Sequence, residues 1–189
     1  GRIGFVPHHK SYDGADWEAI AQRAGLFAID PRQSPEAVTA ALASCERVLT
    51  ESLHGAIFAD ALGVPWRAVV LARRFHAFKW QDWLDTLGIT LDAVEVPVEL
   101  QARLAPVKAL GNRLARLANY GGTDARNHLR PLRAANEADV TRVVDALRGF
   151  ARDEGRFVCS EAARREAQRE AMRAQCARFA REFGFTFAG

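Results

Sequence analysis

The sequence of 189 residues predicts an α/β protein built on a parallel, doubly wound, Rossmann-like sheet. In residues 1–90, short apolar runs alternate with helical segments of about ten residues, which is the order expected of a parallel sheet with crossover helices. The apolar runs show no polar alternation, as expected of strands that helices cover on both faces. Apolar residues make up 49% of the chain, enough for a substantial core.

The strands and helices of this first part follow one another in a regular order. Strands are predicted at residues 2–6, 26–29, 47–50 and 66–71, and helices at 16–24, from the cap Ser34 onward, at 54–62 and at 78–87. Gly25 and Gly63 follow two of the helices, and glycine often ends a helix because it adopts the left-handed conformation. Pro35 suits the first turn of its helix, where no backbone donor is needed.

The second part of the chain has a different character, rich in alanine and arginine. Helices are predicted at residues 97–118, 136–152 and 160–183, with a loop at 119–123 and Ser160 as the cap of the last helix. That helix carries Glu161/Arg165, Glu166/Arg169 and Glu170/Arg173 at the spacing of ion pairs on a solvated face. We therefore expect a Rossmann-like domain over residues 1–95 and a helical extension over residues 96–189.

Composition excludes several classes of function. The net charge is +3, with −1 in residues 1–90 and +4 in residues 91–189, a surplus too small and too interleaved with acids to indicate a nucleic-acid binder. The three cysteines lack CxxC spacing, so we expect packing roles in a reducing cytosol. No apolar run reaches the roughly 18 residues of a membrane span.

Ligands of parallel α/β sheets bind where the strands end and the loops enter the next helices. The loops at this edge are residues 7–13, 30–33, 51–55 and 72–77, and they contain His8, His9, His54 and His76. His8 and His9 are adjacent, so we expect them to point apart at a strand exit and to form no metal site. Neither a metal nor a cofactor is expected.

The turn at residues 51–55 is the strongest candidate site. Ser52 and Leu53 lie in the turn before a helix whose first backbone N–H groups lack partners and so suit an anion. Gly55 is expected to let a ligand approach the backbone, and His54 offers an oxyanion donor or a proton shuttle. Glu51 is expected to act as a general acid or base, or to orient His54. A cap or a core hydrogen bond is the alternative role for His54.

This stretch resembles the polysaccharide pyruvyltransferase family. The resemblance rests on S-L-H-G at residues 52–55, A-D-A-L-G-V-P at 59–65, F-K-W-Q-D-W at 78–83 and G-F-V-P-H at 4–8, and it covers about residues 1–90. It implies the C-terminal lobe of a two-lobed transferase of the GT-B type, in the branch that acts on bacterial exopolysaccharides. Because this chain begins directly on a strand, we expect it to be the C-terminal part of a larger two-lobed protein or a truncation.

The resemblance implies transfer of a pyruvyl group from phosphoenolpyruvate to sugar hydroxyls, which forms a pyruvate ketal. The donor-binding histidine of the family falls on His54, and its downstream basic residue falls on Lys79, one of only three lysines in the chain. Arg74 and His8 are further expected anion contacts. A solvated helix position is the alternative for Lys79, and a role at the strand end is the alternative for His8.

The expected acceptor is a glycan or a lipid-linked oligosaccharide, which places the enzyme in the cytoplasm or at the inner face of the membrane. A donor-binding arginine from the N-terminal lobe is also implied, so this chain alone is expected to bind the donor weakly. Association with such a lobe, or a homo-oligomer, would complete the cleft. Two alternatives remain open: a glycosyltransferase with a sugar-nucleotide donor, and a non-catalytic interaction module.

Overall fold

The computed structural model describes residues 1–12, 14–72, 75–100 and 136–184 of the chain. Its strands are β1 (Ile3–Val6), β2 (Phe27–Ala28), β3 (Arg47–Thr50), β4 (Trp66–Val70) and β5 (Ala93–Glu95). Its helices are α1 (His9–Tyr12), α2 (Trp17–Ala24), α3 (Pro35–Ala43), α4 (Leu53–Ala61), α5 (Ala77–Leu87), α6 (Glu137–Arg152) and α7 (Ala162–Phe183). A 3₁₀ turn, Glu154–Arg156, follows α6.

All five strands belong to one parallel sheet, in the order β2-β1-β3-β4-β5. This confirms the predicted fold class, a parallel Rossmann-like α/β sheet followed by C-terminal helices. The sequence predicted four strands, and β5 is an addition to them. Its three residues are half-buried or exposed, so no continuous apolar run marks this edge strand in the sequence.

Helices cover both faces of the sheet, which explains the unbroken apolar character of its strands. Successive strand residues enter two separate cores, because side chains alternate between the faces of a sheet. Phe5 and Leu49 pack with α2 and α6, whereas Val6 and Val48 pack with α3, α4 and α5. The chain therefore forms a three-layer sandwich with its sheet in the middle.

Helix α6 packs in the same core as α2, although it comes from the second part of the chain. Val143, Val144 and Leu147 are buried there, and Asn136 caps the helix in a capping box with Asp139. This confirms the helix expected at residues 136–152. Of the helix expected at 97–118, residues 97–100 are not helical; its remaining residues and the loop at 119–123 lie outside the described residues. The boundary near residue 95 stays a prediction.

The last helix begins later than expected, because Ser160 has another partner. Its backbone N and its hydroxyl donate to the buried carboxylate of Asp60 at 2.7 and 2.5 Å, so Glu161 takes the cap position instead. Helix α7 carries no buried residue, as expected of a solvated helix. Of the expected pairs, Arg169 and Glu166 lie 3.2 Å apart, whereas Arg165 donates to the Ser160 carbonyl. Within the described ranges, no helix combines the length and apolar character that crossing a bilayer requires.

Candidate anion-binding site

The strand order puts a crevice between the carboxyl ends of β1 and β3. The chain leaves β1 towards β2 on one side and leaves β3 towards β4 on the other, so the two connections diverge. Ligands of doubly wound sheets bind at this kind of switch point. Pro7 and His8 follow β1 here, and Glu51 and Ser52 follow β3.

The turn from β3 into α4 is held by its own hydroxyl groups. Thr50 Oγ1 donates to the Ser52 carbonyl at 2.9 Å and accepts from the Ser52 amide at 3.0 Å, and both side chains are buried. Ser52 is the cap of α4, and its Oγ accepts from the Gly55 amide at 3.3 Å. The helix therefore begins at Leu53, one residue earlier than expected. Among the described contacts, the amides of Leu53 and His54 have no acceptor, as is usual in the first turn of a helix.

Gly55 was expected to let a ligand approach the backbone, but the structure shows a different close approach, that of α4 to the sheet. A Cβ atom at this position would lie 2.6 Å from Thr50 Oγ1 and 3.3 Å from Val6 Cγ1. The glycine is buried and its amide is bound by Ser52. It therefore brings α4 close to the sheet, rather than bringing a ligand to the backbone.

The Glu51 carboxylate lies where three strand ends meet. Its Oε2 accepts from the His8 amide at 2.9 Å, just after β1, and its Oε1 accepts from the Ala72 amide at 3.2 Å, just after β4. The residue is 6% exposed. Burial raises the pKa of the Glu51 carboxyl group above its usual value, although hydrogen bonds from His8, Ser11 and the backbone after β4 act in the opposite direction.

His8 lies within a group of cationic side chains. Burial, and to a smaller extent the charges of His9, Lys10, His76 and His54, lowers the pKa of His8 from 6.5 to about 4. The rings of His8 and His9 have centroids 4.1 Å apart, which corrects the expectation that they point apart. The reason is that His9 begins the short helix α1, whereas the expectation assumed an extended strand exit. His8 Nδ1 accepts from the Lys10 amide at 3.2 Å.

The first turn of α5 carries the other expected cations. His76 occupies the cap position without a side-chain cap hydrogen bond, and its charge is one of those that lower the His8 pKa. Lys79 is exposed in this turn, with its amide bonded to the His76 carbonyl at 3.0 Å. Arg74 lies outside the described residues. No contact between Lys79 and His54 occurs in the described part of the chain.

The site therefore combines helix-start amides with the side chains of His8, His9, His54, His76 and Lys10. Sequence reasoning had placed the four histidines at this edge, but it missed Lys10 and the bond from Glu51 to Ala72. The hydrogen bond between Glu51 and Ala72 depends on which strands are neighbours, and the grouping of Lys10 with His8 depends on the bend into α1. In the described ranges, no group of three or more histidine, cysteine or acidic side chains is arranged to hold a metal ion.

The fold defines a parallel α/β domain, and the imidazoles and helix-start amides at its switch point make this a candidate anion-binding site. Comparison with known proteins shows what the domain is similar to. The family model described as polysaccharide pyruvyl transferase matches residues 2–72, which contain β1–β4 and the whole β3–α4 turn. This part of the chain is therefore similar to the polysaccharide pyruvyl transferase family.

A curated relative is similar to part of the chain. The chain is 44% identical over 98 residues to the succinoglycan biosynthesis protein ExoV of Rhizobium meliloti (strain 1021). The match covers 52% of this chain and 31% of that protein, so the chain spans about a third of the length of the curated relative it matches. No solved structure matches the chain.

Proposed function

We propose that this domain takes part in transferring the pyruvyl group of phosphoenolpyruvate to sugar hydroxyls of a bacterial exopolysaccharide. The observation that carries the proposal is the set of imidazoles and helix-start amides at the switch point. Phosphoenolpyruvate carries a carboxylate and a phosphate, and these donors suit both groups. The family description and the printed name of the relative support the pyruvyl group and the polysaccharide as the partners of the reaction.

Ketal formation sets three chemical requirements. One acceptor hydroxyl adds to C2 of the donor while C3 receives a proton and becomes a methyl group. The bond from C2 to the phosphate oxygen then breaks, and a second hydroxyl of the same sugar closes the ketal ring. Of the two hydroxyl protons lost by the sugar, one balances the proton gained at C3 and the other leaves with inorganic phosphate.

His54 is the proposed acid–base group of this reaction. His54 is exposed in the first turn of α4, where the backbone amides of Leu53 and His54 also lie. An imidazole both accepts and donates protons near neutral pH, so it suits the transfer between hydroxyl and C3. Lys79 and the free amides would stabilise the leaving phosphate, and a fixed positive field at the site of developing charge is an effective form of catalysis.

The proposed acceptor is a glycan or a lipid-linked oligosaccharide, and the proposed location is the cytoplasm or the inner face of the membrane. An acceptor with two neighbouring hydroxyls needs an open cleft. The exposed positions of His54, His76 and Lys79 are compatible with that need, because no described element covers them.

Donor binding by the full chain tests the proposal. The phosphorus resonance of phosphoenolpyruvate should broaden when the chain is added, since this measurement detects weak complexes. His54→Ala should reduce the broadening, because it removes a donor from the site, while Gln22→Ala on the exposed side of α2 should leave it unchanged. In a preparation that releases phosphate, His54→Ala should lower the rate by about a hundredfold or more.

The same measurement distinguishes the glycosyltransferase alternative. The phosphorus resonances of a nucleoside diphosphate sugar should broaden less than the resonance of phosphoenolpyruvate at equal concentration. The sugar nucleotide should also not displace phosphoenolpyruvate from the chain. Stronger broadening of the sugar nucleotide would contradict the proposed donor. Near-full turnover by His54→Ala would contradict the role of His54 alone.

A further inference from the structure

Glu51 has no free oxygen directed to the crevice, although it lies at the end of β3. One carboxylate oxygen accepts from the His8 amide at 2.9 Å and the other accepts from the Ala72 amide at 3.2 Å. The backbone of Glu51 also donates to the Val6 carbonyl at 2.9 Å, which continues the pairing of β3 with β1. One side chain therefore connects the ends of β1, β3 and β4.

We propose that Glu51 is a positioning residue that holds the loops after β1 and β4 against the end of β3, and that it does not exchange protons with the substrate. It places His8 in the first loop through the His8 amide, and it places Ala72, four residues before His76, through the Ala72 amide. The reaction that it serves rests on the proposed function, but the connection of the three strand ends does not.

Two observations separate this role from acid–base catalysis. Glu51 is 6% exposed, whereas His54 is exposed at the same turn. A carboxylate that turned towards a substrate would leave two backbone N–H groups without acceptors, and such unpaired buried donors are costly. A proton donor must also reach the reacting atom within hydrogen-bond distance, and both Glu51 oxygens already have partners.

Amide hydrogen exchange in the wild-type chain gives the first test. The amides of His8 and Ala72 lie just beyond their strands, and Glu51 is their acceptor. They should exchange slowly despite their position in loops. Exchange at the rate of free amides would overturn the proposal, and this result needs no variant.

Glu51→Gln gives the second test, because it replaces one acceptor oxygen by an NH₂ group. At least one of the two amides should then exchange about tenfold faster or more, the effect expected when a charge-assisted hydrogen bond is lost. Glu95→Gln makes the same chemical change at an exposed position of β5 and should leave both amides unchanged. If Glu51→Gln fails to fold, Glu51→Asp keeps the charge on a shorter side chain and should show the same direction of change.

The pKa of His8 in the folded chain provides a third test, because a general loss of stability would not change it. In the folded wild-type chain, burial and the charges of His9, Lys10, His76 and His54 hold the His8 pKa at about 4. Release of the loop in folded Glu51→Gln should raise this value towards 6.5, measured from the ring resonances. An unchanged His8 titration together with unchanged amide exchange would overturn the proposal.

Kinetics separate the two roles wherever turnover is detected. Glu51→Gln should raise KM for phosphoenolpyruvate and change kcat by less than about tenfold. A fall in kcat of about 10²–10⁴ at constant KM is the effect of losing an acid–base group, and it would overturn the proposal. A wild-type chain that does not broaden the phosphorus resonance of phosphoenolpyruvate would contradict the proposed function, while the exchange and titration results would still decide the role of Glu51.

Discussion

At the scale of single residues, the site joins a buried carboxylate to a half-buried imidazole through the backbone. Glu51 accepts from the amide of His8, while the His8 ring faces His9 and the cationic groups around it. Burial disfavours the charged form of both groups, so it raises the pKa of Glu51 and lowers the pKa of His8. Burial in the floor of the crevice is the largest cause of both shifts.

The His8 shift predicts a pH dependence of stability. Its pKa is about 4 in the folded chain and 6.5 in the reference state, so the unfolded chain binds more protons between these values. The contribution of His8 to the free energy of unfolding is fully present above pH 6.5 and is lost as the pH falls towards 4. Glu51 acts in the opposite direction, because a raised carboxyl pKa contributes stability that is lost as the pH rises. The prediction therefore concerns the difference between wild type and His8→Gln.

Urea unfolding at several pH values measures this difference. Between pH 4 and 6.5 the free energy of unfolding of the wild type, relative to His8→Gln, should rise with pH. The amide of residue 8 remains available to Glu51 in the variant, so the loop contact is kept. Parallel curves for the two chains across this window would contradict the prediction.

The sequence predicted the place of His54 and Glu51 well, because the end of an apolar strand and the start of a helix are both local patterns. It left open whether Glu51 is an acid–base group or an orienting group. The answer depends on the His8 and Ala72 amides, which lie 43 and 21 residues away in the chain. The grouping of Lys10 with His8 was missed for a different, local reason, since the bend into α1 produces it.

At the scale of elements, helix α4 illustrates how closely a helix can approach a parallel sheet. Gly55 lies in its first turn, over Thr50 and Val6, with no room for a methyl group. Thr50 cannot move freely, because its hydroxyl holds both the amide and the carbonyl of Ser52. The position of the start of α4, and of His54 in its first turn, therefore depends on residue 55 being a glycine without a side chain.

A pair of glycine substitutions tests this dependence. Gly55→Ala should destabilise the chain by about 1–3 kcal/mol, the usual cost of overpacking a close contact. Gly149→Ala makes the same change inside α6, where the added methyl group meets nothing within 4 Å. It should stabilise the chain by about 0.5–1 kcal/mol, since alanine is the better helix former. Thermal unfolding measures both effects, and a stable Gly55→Ala chain would show that α4 can shift.

Helix starts were predictable where a local cap acts, and were missed where a distant group competes. Ser34 caps α3 as predicted, and Asp16 and Asn136, which were predicted as first residues of their helices, are the caps of α2 and α6. Ser160 has the right residue type for a cap, but the buried Asp60 binds it from 100 residues away. The edge strand β5 was missed because its burial is partial.

At the scale of the whole molecule, the C-terminal segment completes the domain. Val158 forms an antiparallel bridge with Trp66 at the start of β4, and the buried Arg67 pairs with Asp153 at 3.3 Å. Ser160 then bonds to Asp60 of α4. The segment from α6 to Ser160 thus contacts the sheet and a helix of the opposite layer, whereas α7 beyond it has no buried residue.

This packing predicts that α6 unfolds together with the sheet. Leu147 is fully buried in the core that contains Phe5 and Trp17, so Leu147→Ala should cost about 2–5 kcal/mol. Met172 on α7 is 65% exposed, and Met172→Ala should change stability by less than about 0.5 kcal/mol. All four tryptophans lie in residues 1–95, so their fluorescence reports only on that part during urea unfolding.

Leu147→Ala should lower the midpoint of this tryptophan transition and keep it a single step, because one cooperative unit would contain both the sheet and α6. Met172→Ala should reproduce the wild-type midpoint. A tryptophan transition that does not respond to Leu147→Ala would mean that the sheet unfolds independently of α6. In that case the boundary predicted near residue 95 would divide two units of stability, and the crevice at β1 and β3 would depend on the first unit alone.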